Sequence, residues 1–144
     1  MSQALVDAAK ASIVAYNEKN WDAVPKVVTS DFEYDEVGTN RKLVGPSDVI
    51  AAWKGWATAL PDSKATFNAA HVGGNTVTLE VTWHGTHTGP LETPAGAIPS
   101  TGKKIEVRAC QVVELTPDGK TQRVRHYFDM ATLLAQLGVS TVGA

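Results

Sequence analysis

Sulfur, histidine and net charge are all scarce in this chain of 144 residues. Its single cysteine, Cys110, excludes a disulfide within the chain and makes a reducing, cytoplasmic compartment the expected setting. Four histidines are scattered without an HExxH arrangement, so no metal site is expected. Thirteen basic residues face 15 acidic ones, for a formal charge of -2. A balance this near neutrality gives no electrostatic footprint for nucleic acid or an anionic membrane. No apolar run approaches the length of about 18 residues that a spanning helix needs. The opening MSQALVDAAKAS lacks the basic start and unbroken apolar block of a signal peptide. What is present is 43% hydrophobic residues, without internal repeat, linker or low-complexity stretch. That predicts one domain over residues 1–144 with a substantial core.

The hydrophobic period changes partway along the chain. Leu5, Ala9, Ile13 and Tyr16 recur at helical spacing and predict an amphipathic helix over about 3–18. Asp22 as N-cap would place Pro25 in the first turn of a short second helix. Phe32, Tyr34 and Val37 suggest a strand near 31–37, and the following GTNRKLVGPS reads as turn. Ser47 can cap a third helix carrying Val49, Ile50, Trp53, Trp56 and Leu60. After Pro61 the period falls to two. Ala65, Phe67, Ala69 and His71 alternate with polar residues, and so do Val77, Leu79, Val81 and Trp83. The segment 88–103, rich in proline and glycine, is too long for a simple hairpin and reads as a pocket-rimming loop. Two more strands follow, through Ile105–Leu115 and Val124–Phe128, joined by the turn TPDGK. ATLLAQL then forms a last short helix with Gly138 as its C-cap. Helices first and antiparallel strands later define an α+β class. A strongly curved sheet with helices over its concave side would enclose a cone-shaped cavity.

Polar residues on apolar faces are the informative signal, because a buried polar group needs partners. Gln111 interrupts the row Ile105, Val107, Ala109, Val113 and Leu115. His126 lies between Val124 and Phe128, and His87 continues the row Val81, Trp83 and Gly85. Asp129 follows the last strand with parity opposite to His126; a bulge or helix start there would turn it inward. Each also has a structural reading. Gln111 and His126 can be satisfied core groups, and Asp129 can cap the final helix. Trp53, Trp56 and Trp83 can be core or pocket wall, Asp35 an ordinary strand-end acid, and His84 a solvated residue. Taken together, a carboxylate desolvated at the base of an apolar cavity would have a raised pKa. It would be poised for proton abstraction next to a carbonyl, with histidine or glutamine bonding the enolate oxygen.

WHGTHTGPL, IPSTGKKIEV, the turn DGK and YFDMATLLAQLG together resemble the SnoaL-like polyketide cyclase (ester cyclase) family, of the nuclear transport factor 2-like superfamily. DFEYDEVGTNRKLVG and ALPDS fall where that family carries similar segments. The resemblance implies a cone-shaped α+β barrel with a deep pocket and a homo-oligomer, a dimer or tetramer. It also implies an intramolecular aldol ring closure without cofactor, run by an aspartate as acid and base. Asp129 of YFDM is the expected catalytic residue, with His126 and Gln111 beside it. Tyr16, Tyr34, Asp35, Trp53, Trp56, Trp83, His87 and Phe128 are the expected contacts to a small hydrophobic carbonyl or ester ligand. The alternatives are an isomerase or epoxide hydrolase of the same fold, with Tyr16 and Asp35 as donor and base, or a binder of a small hydrophobic ligand.

Overall fold

The computed structural model describes residues 2–139. Helix α1 (Ser2–Glu18) leads into a 3-10 turn (Trp21–Ala23) and the short α2 (Val24–Val27). Pro25 sits in the first turn of α2, but Asp22 is not its cap: Ala23 holds that position without a side-chain bond. Strand β1 (Val28–Glu36) is longer than its sequence suggested. The segment read as turn contains a 3-10 turn (Val37–Thr39) and a real strand, β2 (Arg41–Val44). Helix α3 (Pro46–Ala59) starts from Gly45 with Pro46 in its first turn, rather than from Ser47. Strands β3 (Lys64–Gly73) and β4 (Thr76–Thr86) form a hairpin. The small hairpin β5 (Leu91–Thr93) and β6 (Gly96–Ile98) precedes β7 (Lys104–Leu115), β8 (Thr121–Phe128) and α4 (Met130–Gln136).

The six-stranded sheet runs β2-β1-β8-β7-β4-β3. Every neighbouring pair is antiparallel except β1 and β8, which are parallel, so the sheet is mixed. Register then builds the inner face row by row. Tyr34, Val124, Val113 and Val77 stand opposite one another across four strands. All four are buried, beside Phe32, Leu79 and Val81. Fully burying one such side chain contributes about 1.5–3 kcal/mol, so this face is where the sheet gains its stability. In β3 a bulge between Phe67 and Ala69 reverses the pattern. Ala70, not His71, packs on the core, and His71 turns outward, its Nε2 lying 2.6 Å from Glu80 Oε2.

Helix α1 crosses β3, β4, β7 and β8, while α3 covers β1 and β2. Ala9, Ile13 and Tyr16 form its buried stripe, as their spacing predicted. A second, smaller cluster joins Ala59, Leu60, Leu91, Ile105, Val107, Leu133 and Leu137 beneath α4. Gly89 fastens the 88–103 segment to the end of α3: its N–H and that of Thr88 both donate to the Ala59 carbonyl at 3.1 Å. A Cβ on residue 89 would lie 2.1 Å from the Thr58 oxygen, so only glycine fits. Gly138, with φ of 76°, ends α4 in the left-handed conformation its position predicted. No helix among the described residues is long and apolar enough to cross a membrane.

Candidate active site

Between the helices and the concave face lies a cavity of about 70 Å³. That is room for roughly five water-sized spheres. Helix α1 contributes Ser12, Ile13 and Tyr16, and α3 contributes Trp53 and Trp56, with Leu60 at its C-cap. The sheet supplies Tyr34, Glu36, Trp83, Ile105, Val107, Gln111, His126 and Phe128; Ser63 and Leu133 complete the wall. The lining is mostly apolar and aromatic, with a few converging polar groups, as ligand sites commonly are.

Three of those polar groups come from one row of the sheet. His126 on β8 stands opposite Glu36 on β1 and opposite Gln111 on β7, and Leu79 on β4 continues the row. Period-two alternation on three adjacent strands therefore aims three polar side chains at one wall. Glu36, Gln111 and His126 are all buried, Glu36 to 1% exposure. Glu36 receives four donors. Thr39 Oγ1 at 2.5 Å and Arg41 Nη2 at 2.9 Å donate to Oε1; Trp56 Nε1 at 3.0 Å and Tyr34 Oη at 3.3 Å donate to Oε2. His126 Nδ1 lies 2.7 Å from Tyr34 Oη, and its Nε2 accepts from Trp83 Nε1 at 3.2 Å. Burial pushes the His126 pKa down to about 3. Burial, reinforced by the nearby Glu36 carboxylate, raises Tyr34 well above the usual phenol range. Tyr16 is raised to about 12 by burial, against the opposing hydrogen bond from Ser63, whose Oγ lies 2.6 Å from the Tyr16 hydroxyl. Both tyrosines thus keep their protons at ordinary pH. The Gln111 amide makes no side-chain hydrogen bond among the described residues while lining the cavity, so its polar atoms are free for a ligand.

Three expected site residues are elsewhere. Asp129 is exposed. Strand β8 ends at Phe128 without a bulge, and Asp129 keeps an extended backbone, so its parity carries it outward. Its carboxylate caps α4, accepting from Ala131 N–H at 3.0 Å and Thr132 Oγ1 at 2.7 Å. Those bonds, the Thr132 hydroxyl first, hold its pKa below the usual carboxylate value, the reverse of the expected rise. Asp35 faces away from the cavity between the inward Tyr34 and Glu36, so it forms no pair with Tyr16. His87 is fully buried but lies beyond the end of β4, outside the cavity. Its Nδ1 accepts from Thr101 N–H at 3.2 Å, pinning the 88–103 segment. That segment supplies none of the described lining residues. Its Leu91 is spent in the second core cluster.

The structure brings together the other expected contacts: Tyr16, Tyr34, Trp53, Trp56, Trp83, Gln111, His126 and Phe128. Glu36, Ser12 and Ser63 were missed. The signal for Glu36 was legible, since Phe32, Tyr34 and Glu36 continue one alternation and all three are buried. Ser12 sits on the α1 stripe one residue from Ile13. Ser63 lies in an irregular turn with no periodicity to read. Among the described residues, no three His, Cys, Asp or Glu side chains cluster as metal ligands would.

A curved mixed sheet, helices over its concave face and an aromatic cavity between them define an α+β barrel of the nuclear transport factor 2-like type. The family model for SnoaL-like polyketide cyclases matches residues 6–137, and the chain belongs to that family. No curated protein matches the chain. Among solved structures, a protein described as a SnoaL-like polyketide cyclase from Jannaschia sp. CCS1 superposes with a TM-score of 0.83 at 16% identity, over 96% of this chain and 94% of that one. A protein with a ketosteroid isomerase-like fold from Catenulispora acidiphila, in complex with trimethylamine, gives 0.75 at 19% identity, over 96% and 97%. An LEH-like epoxide hydrolase from M. tuberculosis gives 0.70 at 18% identity, over 94% and 90%. At these identities the likeness establishes the fold.

Proposed function

We propose that this protein is a cyclase-type enzyme that moves protons on a small, mostly apolar carbonyl compound, with Glu36 as its acid and base. The observation that carries the reading is the buried Glu36 carboxylate on the wall of an apolar cavity, in the same sheet row as the unpartnered Gln111 amide. Three of the four donors to Glu36 lie within 3.0 Å, and the Tyr34 hydroxyl at 3.3 Å is the loose one. Oε2, whose Tyr34 contact is long, is therefore the oxygen best placed to take a proton from a substrate. Glu36 takes a proton from carbon next to a carbonyl, leaving an enolate. The Gln111 N–H donates to the enolate oxygen. The enolate carbon attacks a second carbonyl of the same molecule, forming the ring bond, and the resulting alkoxide takes the proton back from Glu36. In an apolar, aromatic cavity both the proton transfer and the oxyanion contact are favoured over the same events in bulk water. The substrate supplies both carbons of the new bond, and the protein supplies proton transfer and the oxyanion contact.

The test uses 2-tetralone, a compact ketone with acidic C–H bonds, in deuterated buffer. Binding is followed by NMR shifts and exchange by loss of the α-proton signal. Exchange faster than in buffer, returning to the buffer rate in Glu36→Gln, is the expected result. A wild-type protein that binds the ketone yet leaves its exchange at the buffer rate contradicts it. That outcome would favour a second reading, a holder of hydrophobic ligands. One feature speaks for the holder: both oxygens of Glu36 and both nitrogens of His126 already have partners within the protein.

A further inference from the structure

We infer that Trp83 is a positioning residue, which sets the direction of every proton in the chain Trp83–His126–Tyr34–Glu36 and so keeps a hydroxyl hydrogen aimed at the Glu36 carboxylate. This inference rests on the reading of Glu36 as the proton-transfer group. The direction follows from what each group can offer. An indole nitrogen only donates, so the 3.2 Å contact of Trp83 Nε1 with His126 Nε2 requires a bare lone pair on Nε2. His126 is buried at 6% exposure and no carboxylate touches either ring nitrogen, so the ring is neutral. A neutral ring with a bare Nε2 carries its hydrogen on Nδ1. Nδ1 is 2.7 Å from Tyr34 Oη, which must accept that hydrogen. The Tyr34 hydroxyl hydrogen is then directed to its remaining partner, Glu36 Oε2 at 3.3 Å.

The chain crosses from β4 to β8 to β1, and each member is held by packing as well as by its bond. Trp83 meets Tyr16 edge-on at 5.3 Å between ring centroids, and Tyr34 meets Trp53 edge-on at 5.5 Å. Reversing the chain would set the indole N–H against an Nε2–H. One N–H thus selects one tautomer, and the tautomer selects which way the phenol points. The group nearest the reacting carbon then begins each turnover hydrogen-bonded in a single sense. That is the preorganisation a low-dielectric site rewards.

The test is the tautomeric state of His126, read by long-range proton–nitrogen NMR of the imidazoles at neutral pH, with the His126 signals assigned by their loss in His126→Gln. In the wild type, Nε2 is expected at the bare-nitrogen position and Nδ1 at the protonated one. Trp83→Phe keeps an aromatic ring and removes the donor. It is expected to shift His126 to a mixture of tautomers and to lower kcat for 2-tetralone exchange roughly tenfold, the value of one hydrogen bond, with KM unchanged. Tyr34→Phe provides the second variant: Nε2 should stay bare, because Trp83 still dictates it. A wild-type His126 that is cationic or protonated on Nε2 overturns the inference, even if neither variant folds. So does a Trp83→Phe protein with unchanged tautomer or unchanged kcat. Failure of the Glu36 reading is seen separately, as exchange that survives Glu36→Gln while the wild-type tautomer is as described.

Discussion

Two acids sit at the ends of two parallel strands, and they have opposite fates. Glu36 closes β1 and Asp129 immediately follows β8, its neighbour in the sheet. Glu36 shares the parity of Phe32 and Tyr34, so it enters the cavity and meets Arg41, Thr39, Trp56 and Tyr34. Asp129 has the parity opposite to His126 and Phe128, so it leaves the sheet toward solvent and caps a helix. The same carboxyl chemistry becomes a candidate acid–base group in one place and a helix cap in the other. A single residue of register makes the difference.

After Glu36 itself, replacing the amide beside it should give the largest effect. Gln111→Leu removes the proposed oxyanion donor, with an expected rate loss of about 10²–10³ in the 2-tetralone assay. The same change replaces an amide that makes no side-chain hydrogen bond among the described residues with an apolar side chain, so urea denaturation should find the variant as stable as the wild type or more so. Next, Glu36→Ala strands the Trp56 N–H and the Arg41 guanidinium without their acceptor. About 1–3 kcal/mol should disappear from the unfolding free energy, measured by the urea midpoint.

The third effect depends on pH. The folded His126 takes its proton only near pH 3, whereas an unfolded histidine takes one near 6.5. Between those values the unfolded chain holds the extra proton, so stability falls as pH falls through that window, by up to about 1.4 kcal/mol per pH unit. His126→Gln should flatten this part of the stability profile. The smallest effect belongs to the other acid: Asp129→Ala should lower Tm by only a few degrees through loss of the α4 cap, seen by thermal melting.

Much of this was legible because period and parity are local properties. The buried stripe of α1, the inward Gln111 and His126, and the left-handed Gly138 all follow from spacing or from one residue's backbone freedom. Strand β2 was hidden because RKLV shows only one partly buried position, Leu43; its pairing to β1 is what places Arg41 opposite Glu36. The bulge in β3 left no mark in composition and turned His71 outward. Asp129 was drawn to the site by its place in the YFDM motif, against its own parity. Glu36 was passed over because the strand was taken to run on to Val37, which is exposed, when the alternation from Phe32 ends one residue earlier on a buried acid. Partners that bury a charge are long-range, and no single segment displays them.

The most direct measurement is the rate of 2-tetralone α-proton exchange in Glu36→Gln and Asp129→Asn, side by side with the wild type. If Glu36 is the proton-transfer group, the first variant falls about 10²–10⁴-fold and the second keeps the wild-type rate. Exchange lost in Asp129→Asn and retained in Glu36→Gln would contradict that assignment and return the chemistry to the surface acid.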